Sequence, residues 1–239
     1  MQIMKKIYLI LSELKNHSPF TLFGALTGIV CMLLFKNSGA ETSHRMFQIF
    51  HPSHVVLSAM VTASLFMLHK NKTTFLTILI IGYFGSIGVA TLSDCVLPFF
   101  GESLLGVAIP VHYHPHEEEA MSEGPLKQTD PPEPEHEGPK IHLGFIEEWY
   151  IVNPAAILGV LIAFFLPRTK FPHAGHVLIS TWASSFHVLM NTHRELTTLI
   201  LVGMFIVLFI AVWLPCCFSD IVFPLLFVKS ETNLIHSHH

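Results

Sequence analysis

His51-Pro52-Ser53-His54-Val55-Val56-Leu57-Ser58 is answered later in the chain by His173-Ala174-Gly175-His176-Val177-Leu178-Ile179-Ser180. In both stretches two histidines stand three apart, a valine follows the second, and a serine comes four residues after it. Two further blocks flank this one in the same order. Upstream, Pro19-Phe20-Thr21-Leu22-Phe23-Gly24-Ala25-Leu26 resembles Pro154-Ala155-Ala156-Ile157-Leu158-Gly159-Val160-Leu161. Downstream, Ser93-Asp94-Cys95-Val96-Leu97-Pro98 resembles Ser219-Asp220-Ile221-Val222-Phe223-Pro224. Valine, leucine and isoleucine match by chance in any apolar sequence, but histidine, aspartate and proline matching in order do not. The pattern reads as an internal duplication.

Composition says what kind of unit was doubled. The chain has 239 residues, 51% hydrophobic and 13% charged, with a mean hydropathy of +0.55. A soluble domain carries about 25% charged residues, so there is too little polar surface here for water on all sides. That excludes a soluble enzyme, a coiled coil and a disordered protein, and leaves an all-α integral membrane protein. The net charge of −4 offers no basic patch to replace phosphate counterions, which excludes nucleic acid as a partner. Cys31, Cys95, Cys216 and Cys217 fall in no metal-ligand spacing and suggest no disulfide framework. The 17 histidines are the feature that needs a reason.

Apolar runs place six spans: Pro19–Phe35, His51–His69, Thr74–Leu92, Trp149–Pro167, His173–Met190 and Leu196–Trp213. Apolar character resumes from Cys95 to Val111 and from Cys216 to Val228, across prolines, so broken or re-entrant segments are expected after Asp94 and Asp220. Residues 1–18, with Lys5-Lys6 and an apolar run from Ile7 to Leu11 too short for a signal peptide, read as an interfacial tail. The organisation expected is this tail, a three-helix repeat over 19–111, an extramembrane loop over 112–148, a second three-helix repeat over 149–228 and a tail over 229–239. Three crossings per copy reverse its orientation, which makes a 3+3 inverted repeat of the kind found in secondary transporters.

Basic residues orient the chain. With the N-terminus inside, Lys5, Lys6, Lys15, Lys70, Lys72, Arg168, Lys170 and Lys229 lie inside, against Lys36, Arg45, Lys127, Lys140 and Arg194 outside. This excess favours both termini inside and the long loop outside, in a bacterial inner membrane or its equivalent.

His51 to Lys70 covers about 28 Å of helix, roughly one hydrocarbon thickness. His51, His54 and Asp94 are therefore expected together near the outer face, with Pro52 at the first helical turn. His173, His176 and Asp220 are expected as their counterpart near the inner face. Two imidazoles and a carboxylate form a ligand set for a divalent transition metal. Ser58, Ser180, Ser93 and Ser219 are candidate hydrogen-bonding supports. Asp94 and Asp220 stand in apolar sequence, where an ionisable group is costly and reads as functional. Without a thiolate in either triad, zinc or iron is favoured over copper.

In the loop, His112, His114 and His116 precede Glu117, Glu118 and Glu119, with His136 and His142 beyond. Alternating imidazoles beside acids make a low-affinity divalent-cation sponge, against the simpler reading of an acidic solvated loop. Of the other histidines only His187 falls deep within a span, and no facing axial partner is evident, which disfavours haem. No Walker A, GxGxxG or HExxH motif occurs. The expected function is a transporter or channel for a divalent transition-metal ion rather than an enzyme. Its partners are the bilayer and the metal ion, with a homo-oligomer or a larger membrane complex as the wider setting. A membrane-embedded metalloenzyme with the two triads merged, and a metal-binding accessory subunit, are the alternatives.

Overall fold

The computed structural model describes residues 2–69, 73–107, 144–167, 170–192 and 195–217. The described chain is helical throughout, with no strand among the described residues: α1 Gln2–Phe35, α2 Gly39–His69, α3 Phe75–Thr91, a π-helical turn Leu92–Val96, α4 Leu97–Leu104, α5 Gly144–Glu147, α6 Trp149–Phe165, α7 Lys170–Asn191 and α8 Thr198–Cys217. Four stretches are long and apolar enough to cross a membrane: Ser18–Phe35, Gly39–Leu68, Phe75–Leu104 and Thr198–Cys216. The outward faces of the bundle carry Phe23, Leu34, Phe84, Phe165 and Leu199 in the open. Apolar side chains spread over the whole perimeter suit a lipid surround far better than water.

α2 is the axis. It packs against α7, α6 and α3, while α1 packs against α7 and α8. His54 of α2 stacks on His176 of α7, and Phe47, two turns earlier on α2, meets His187 further along α7. The two helices are therefore antiparallel. Gly24 and Gly28 of α1 face Thr181 and Ser185 of α7, so α1 runs parallel to α7. On the other side, Val152 packs by Val55 and Ala163 by Ala63, so α6 runs parallel to α2.

Close approach of backbones holds these pairs, as expected where lipid removes the hydrophobic drive between helices. A Cβ on Gly159 would run into the carbonyl oxygen of Val56, and one on Gly24 would lie 2.8 Å from the Thr181 hydroxyl. Of the apolar clusters around these contacts, two are the largest. One joins Met32, Phe47, Phe186, Met204 and Leu208, and the other joins Ala59, Phe66, Ile81 and Val160.

α7 is the least apolar of the crossing-length helices, and its polar side turns inward. Ser180, Thr181, Ser184 and Ser185 are all buried. Thr181, Ser184 and Ser185 donate to the carbonyls of Val177, Ser180 and Thr181, one turn back. This satisfies their hydroxyls without water.

Several expectations from sequence are corrected. α2 starts at Gly39, not His51: a tight turn with Ser38 N–H donating to the Phe35 carbonyl, and Gly39 at φ 78°, joins it directly to α1. His51 is twelve residues into a 31-residue helix, about 18 Å from its start. Pro52 accordingly lies inside the helix. α1 likewise begins at Gln2 and carries Pro19 within it, so the helix runs on from residues 2–17 into the crossing-length stretch Ser18–Phe35. The chain does not break after Asp94; it widens into a π-turn, with Leu97 N–H donating to the Leu92 carbonyl, and continues as α4 with Pro98 in its first turn. Within the expected loop 112–148, Gly144–Glu147 is a short helix whose first residue is buried.

Candidate metal centre

The π-turn positions Asp94. Its carboxylate is fully buried and every oxygen is engaged. Oδ2 accepts from Nδ1 of His51 at 2.9 Å and from Nδ1 of His54 at 2.7 Å. Oδ1 accepts from the hydroxyls of Ser93 at 2.7 Å and Ser180 at 2.9 Å. The wide turn also frees the Ser93 carbonyl, which takes a 3.0 Å bond from the Ser184 hydroxyl on α7. A widened turn that aims a side chain inward is a recurrent feature of functional sites.

This wiring decides the tautomers. An ionised carboxylate only accepts, so both rings carry a proton on Nδ1, and a neutral ring then presents its lone pair on Nε2. Neither the His51 nor the His54 Nε2 has a hydrogen-bond partner among the described residues, although both rings are wholly buried. A carboxylate behind an imidazole, with the far nitrogen left open, is the arrangement that orients histidine toward a metal. Asp94 thus stands behind His51 and His54, where the sequence reading had it beside them as a third ligand. The reason is geometric: its two oxygens are already saturated by four donors.

His54 does not stay within its own half. Its ring stacks on His176, with centroids 5.0 Å apart and an interplanar angle of 14°. His176 Nε2 lies 3.0 Å from Cys216 Sγ on α8. A ligand atom from each of His54, His176 and Cys216 falls within 4.8 Å of the others, and all three residues are buried. One histidine from each expected site, His54 and His176, thus falls in a single buried group among the described residues. Antiparallel packing of α2 on α7 brings the two His-x-x-His pairs together.

His51 closes one side of this cluster. Phe47 stacks on its ring at 5.0 Å. On another side sits the Gly144 backbone, where a Cβ would come 2.7 Å from His51 Nε2. The same glycine hydrogen-bonds the Cys95 sulfur through its backbone. His173, half-buried, meets His176 edge-on at 5.7 Å. Ser58 is buried beside the cluster on α2, one turn after His54.

Asp220 and Ser219 lie outside the described residues, as do His112, His114, His116, Glu117, Glu118, Glu119, His136 and His142. Two residues that matter were not singled out from sequence. Cys216 was set aside because the cysteines fall in no metal-ligand spacing, yet its sulfur lies within 4.8 Å of a ligand atom of both His54 and His176. Glu102, fully buried, accepts from His187 Nδ1 at 3.1 Å and from Asn191 Nδ2 at 3.2 Å. The signal for it was present: Glu102 is the only acid between Asp94 and Glu117, in the same apolar setting that marked Asp94. No family model, curated protein or solved structure matches this chain.

Proposed function

We propose that the protein is a membrane carrier for a divalent transition-metal ion. In this reading six spans form a 3+3 inverted repeat, and the ion binds at the middle, between the copies. One observation carries the proposal. Imidazoles from both His-x-x-His blocks, with a thiol beside them, converge in the fully buried centre of a bundle whose outside is apolar. Lone pairs of this kind, kept from water and preset by Asp94, have little use except to replace the hydration shell of a cation.

The duplication is supported by contacts as well as by sequence. Aligning the blocks equates Gly24 with Gly159 and Thr181 with Ala59. Gly24 meets Thr181, and Gly159 meets Ala59, so the same contact recurs with the halves exchanged. Because α1 follows α7 and α6 follows α2, while α2 opposes α7, equivalent helices run in opposite directions. In carriers with such repeats the substrate site lies near the bilayer midplane at the repeat interface, which is where the axis of α2 against α7 would put it.

His51, His54 and Asp94 form one copy's contribution, and His173, His176 and Asp220 the other's, the last on sequence alone. Two imidazoles and a thiolate suit Zn²⁺, and Fe²⁺ or Co²⁺ takes the same imidazoles. Complete burial of His51, His54 and His176 corresponds to an occluded state, which favours a carrier over an open channel. The topology proposed places both termini inside and the His- and Glu-rich loop outside, where it collects cations. A dinuclear metalloenzyme would also draw the two halves together, but it needs two ions about 4 Å apart.

The test is flux. Chain reconstituted in liposomes should take up Zn²⁺ or Co²⁺ above the rate of protein-free vesicles, and His54→Ala and His176→Ala should each abolish the excess. Metal bound at the centre without any flux, or two ions per chain at short separation, would overturn the carrier reading.

A further inference from the structure

A second buried polar group lies further along α7 and is not part of the metal centre. Glu102 of α4 and His187 of α7 are both fully buried, bonded to one another and steadied by Asn191. His187 Nε2 has no hydrogen-bond partner among the described residues. The Phe47 ring lies between the two groups, stacked on His51 and edge-on to His187 at 5.7 Å. Glu102 is eight residues beyond Asp94 on a continuous helical path, about 12 Å along the axis. The pair is thus a separate station, two helical turns from the cluster.

A cavity wide enough for water lies one residue beyond Asn191 along α7. Of about 650 Å³ and set at the α1–α2 turn, it is lined by Lys36, Asn37, Ser43, Thr192 and Glu195. Ser43 lies one turn before Phe47 on α2, and Thr192 directly follows Asn191. The polar line along α7 runs His176, Ser180, Ser184, His187, Asn191, all on one face. It leads from the centre to this cavity, with Phe47 as the apolar interruption.

We propose that Glu102 and His187 bind the proton that moves in exchange for the metal ion; this rests on the carrier reading above. Without the proton the pair is a carboxylate beside a neutral imidazole, with net charge −1. With it, the imidazolium and carboxylate sum to zero. The proton comes from water in the cavity and returns there, and no bond other than N–H forms or breaks. A lone negative charge in hydrocarbon is costly and a neutral pair much less so, so a proton on the pair offsets the cost of burying Glu102. The neighbouring elements add little charge. α1 from Ser18 and α8 carry only Cys31 and Cys216 among described titratable groups. The π-turn carries Asp94 and Cys95, and α2 carries His51 beyond Phe47, His44 one turn before it, and Glu41 with Arg45 as an exposed ion pair. Lys36 and Glu195 stand at the cavity itself.

The test uses the full chain in liposomes, with Glu102→Gln, Glu102→Asp and wild type compared. Zinc binding is read by equilibrium dialysis, zinc uptake by a trapped fluorophore, and proton movement by a trapped pH dye. Glu102→Gln should keep zinc binding and lose zinc-coupled proton movement, and Glu102→Asp should restore part of it. Proton movement equal to wild type in Glu102→Gln, or zinc binding lost along with it, would overturn the assignment. Should wild type carry no zinc, the carrier reading fails, and infrared difference spectra on a pH jump still judge the pair. A titrating imidazole band present in wild type and lost or shifted in Glu102→Gln supports a proton site there, and identical difference spectra from the two proteins refute it.

Discussion

Asp94→Asn is the substitution that separates a ligand from a group behind the ligands. The amide has the shape of the carboxylate. Its oxygen can still accept from His51 and His54, and its nitrogen can donate to Ser93 and Ser180, whose hydroxyls accept as well as donate. The charge is what disappears. Both Nδ1–H bonds, at 2.9 and 2.7 Å, fall from charge-assisted to neutral, and the former are about twice as strong. Removing one such carboxylate from behind a metal-binding histidine costs about 10–100-fold in affinity. Because a single oxygen here serves two rings, the expected loss lies at the upper end, about 100-fold or about 2.8 kcal/mol. Equilibrium dialysis with Zn²⁺ measures it, with thermal unfolding as the control for folding. X-ray absorption of the bound metal supplies the second readout: the number and type of ligand atoms should be the same in Asp94→Asn and wild type. An unchanged affinity, or the loss of an oxygen neighbour from the metal, would refute the reasoning.

Cys216→Ser should remove the thiolate-to-metal charge-transfer band of the Co²⁺ form and weaken Zn²⁺ binding, and a Co²⁺ spectrum identical to wild type would take Cys216 out of the centre. Gly144→Ala puts a methyl 2.7 Å from His51 Nε2. Overpacking of this kind costs about 1–3 kcal/mol, so a lowered melting temperature with weakened metal binding is expected, and no change in either would mean that Gly144 does not close the site. Gly159→Ala drives a methyl into the Val56 backbone, whereas Gly24→Ala meets the Thr181 side chain. Only the side chain can turn aside, so thermal melts should show the larger loss, about 1–3 kcal/mol, for Gly159→Ala.

The parts of the account legible in sequence were those carried by residue types that apolar helices avoid. His51, His54, Asp94, His173 and His176 stood out because imidazole and carboxylate are costly in hydrocarbon. Ser93 and Ser180 could be picked as supports from their place beside those residues, and both do bond Asp94. Helix limits were less legible. Glu41, His44 and Arg45 look like a loop, yet helix propagation needs only backbone bonds, and a turn of α2 that projects from lipid can be polar. Misplacing that start by twelve residues put His51 at a membrane face instead of mid-bundle. That His54 and His176 of the two blocks meet entered the sequence reading only through the alternative of merged triads, since it depends on which face of α2 meets which face of α7. Spacing within a helix does not report that. Where Asp94 stands relative to the two rings was not legible for a related reason: a ligating and an orienting carboxylate are the same residue type and differ only in what they approach.

Metal content of the purified chain, by elemental analysis after loading with Zn²⁺, tests the central claim most directly. The account predicts one tightly held ion per chain, lost in His54→Ala and lost equally in His176→Ala, since one cluster draws on both copies. Two ions in wild type with one surviving each substitution, or full metal content in both variants, would contradict it.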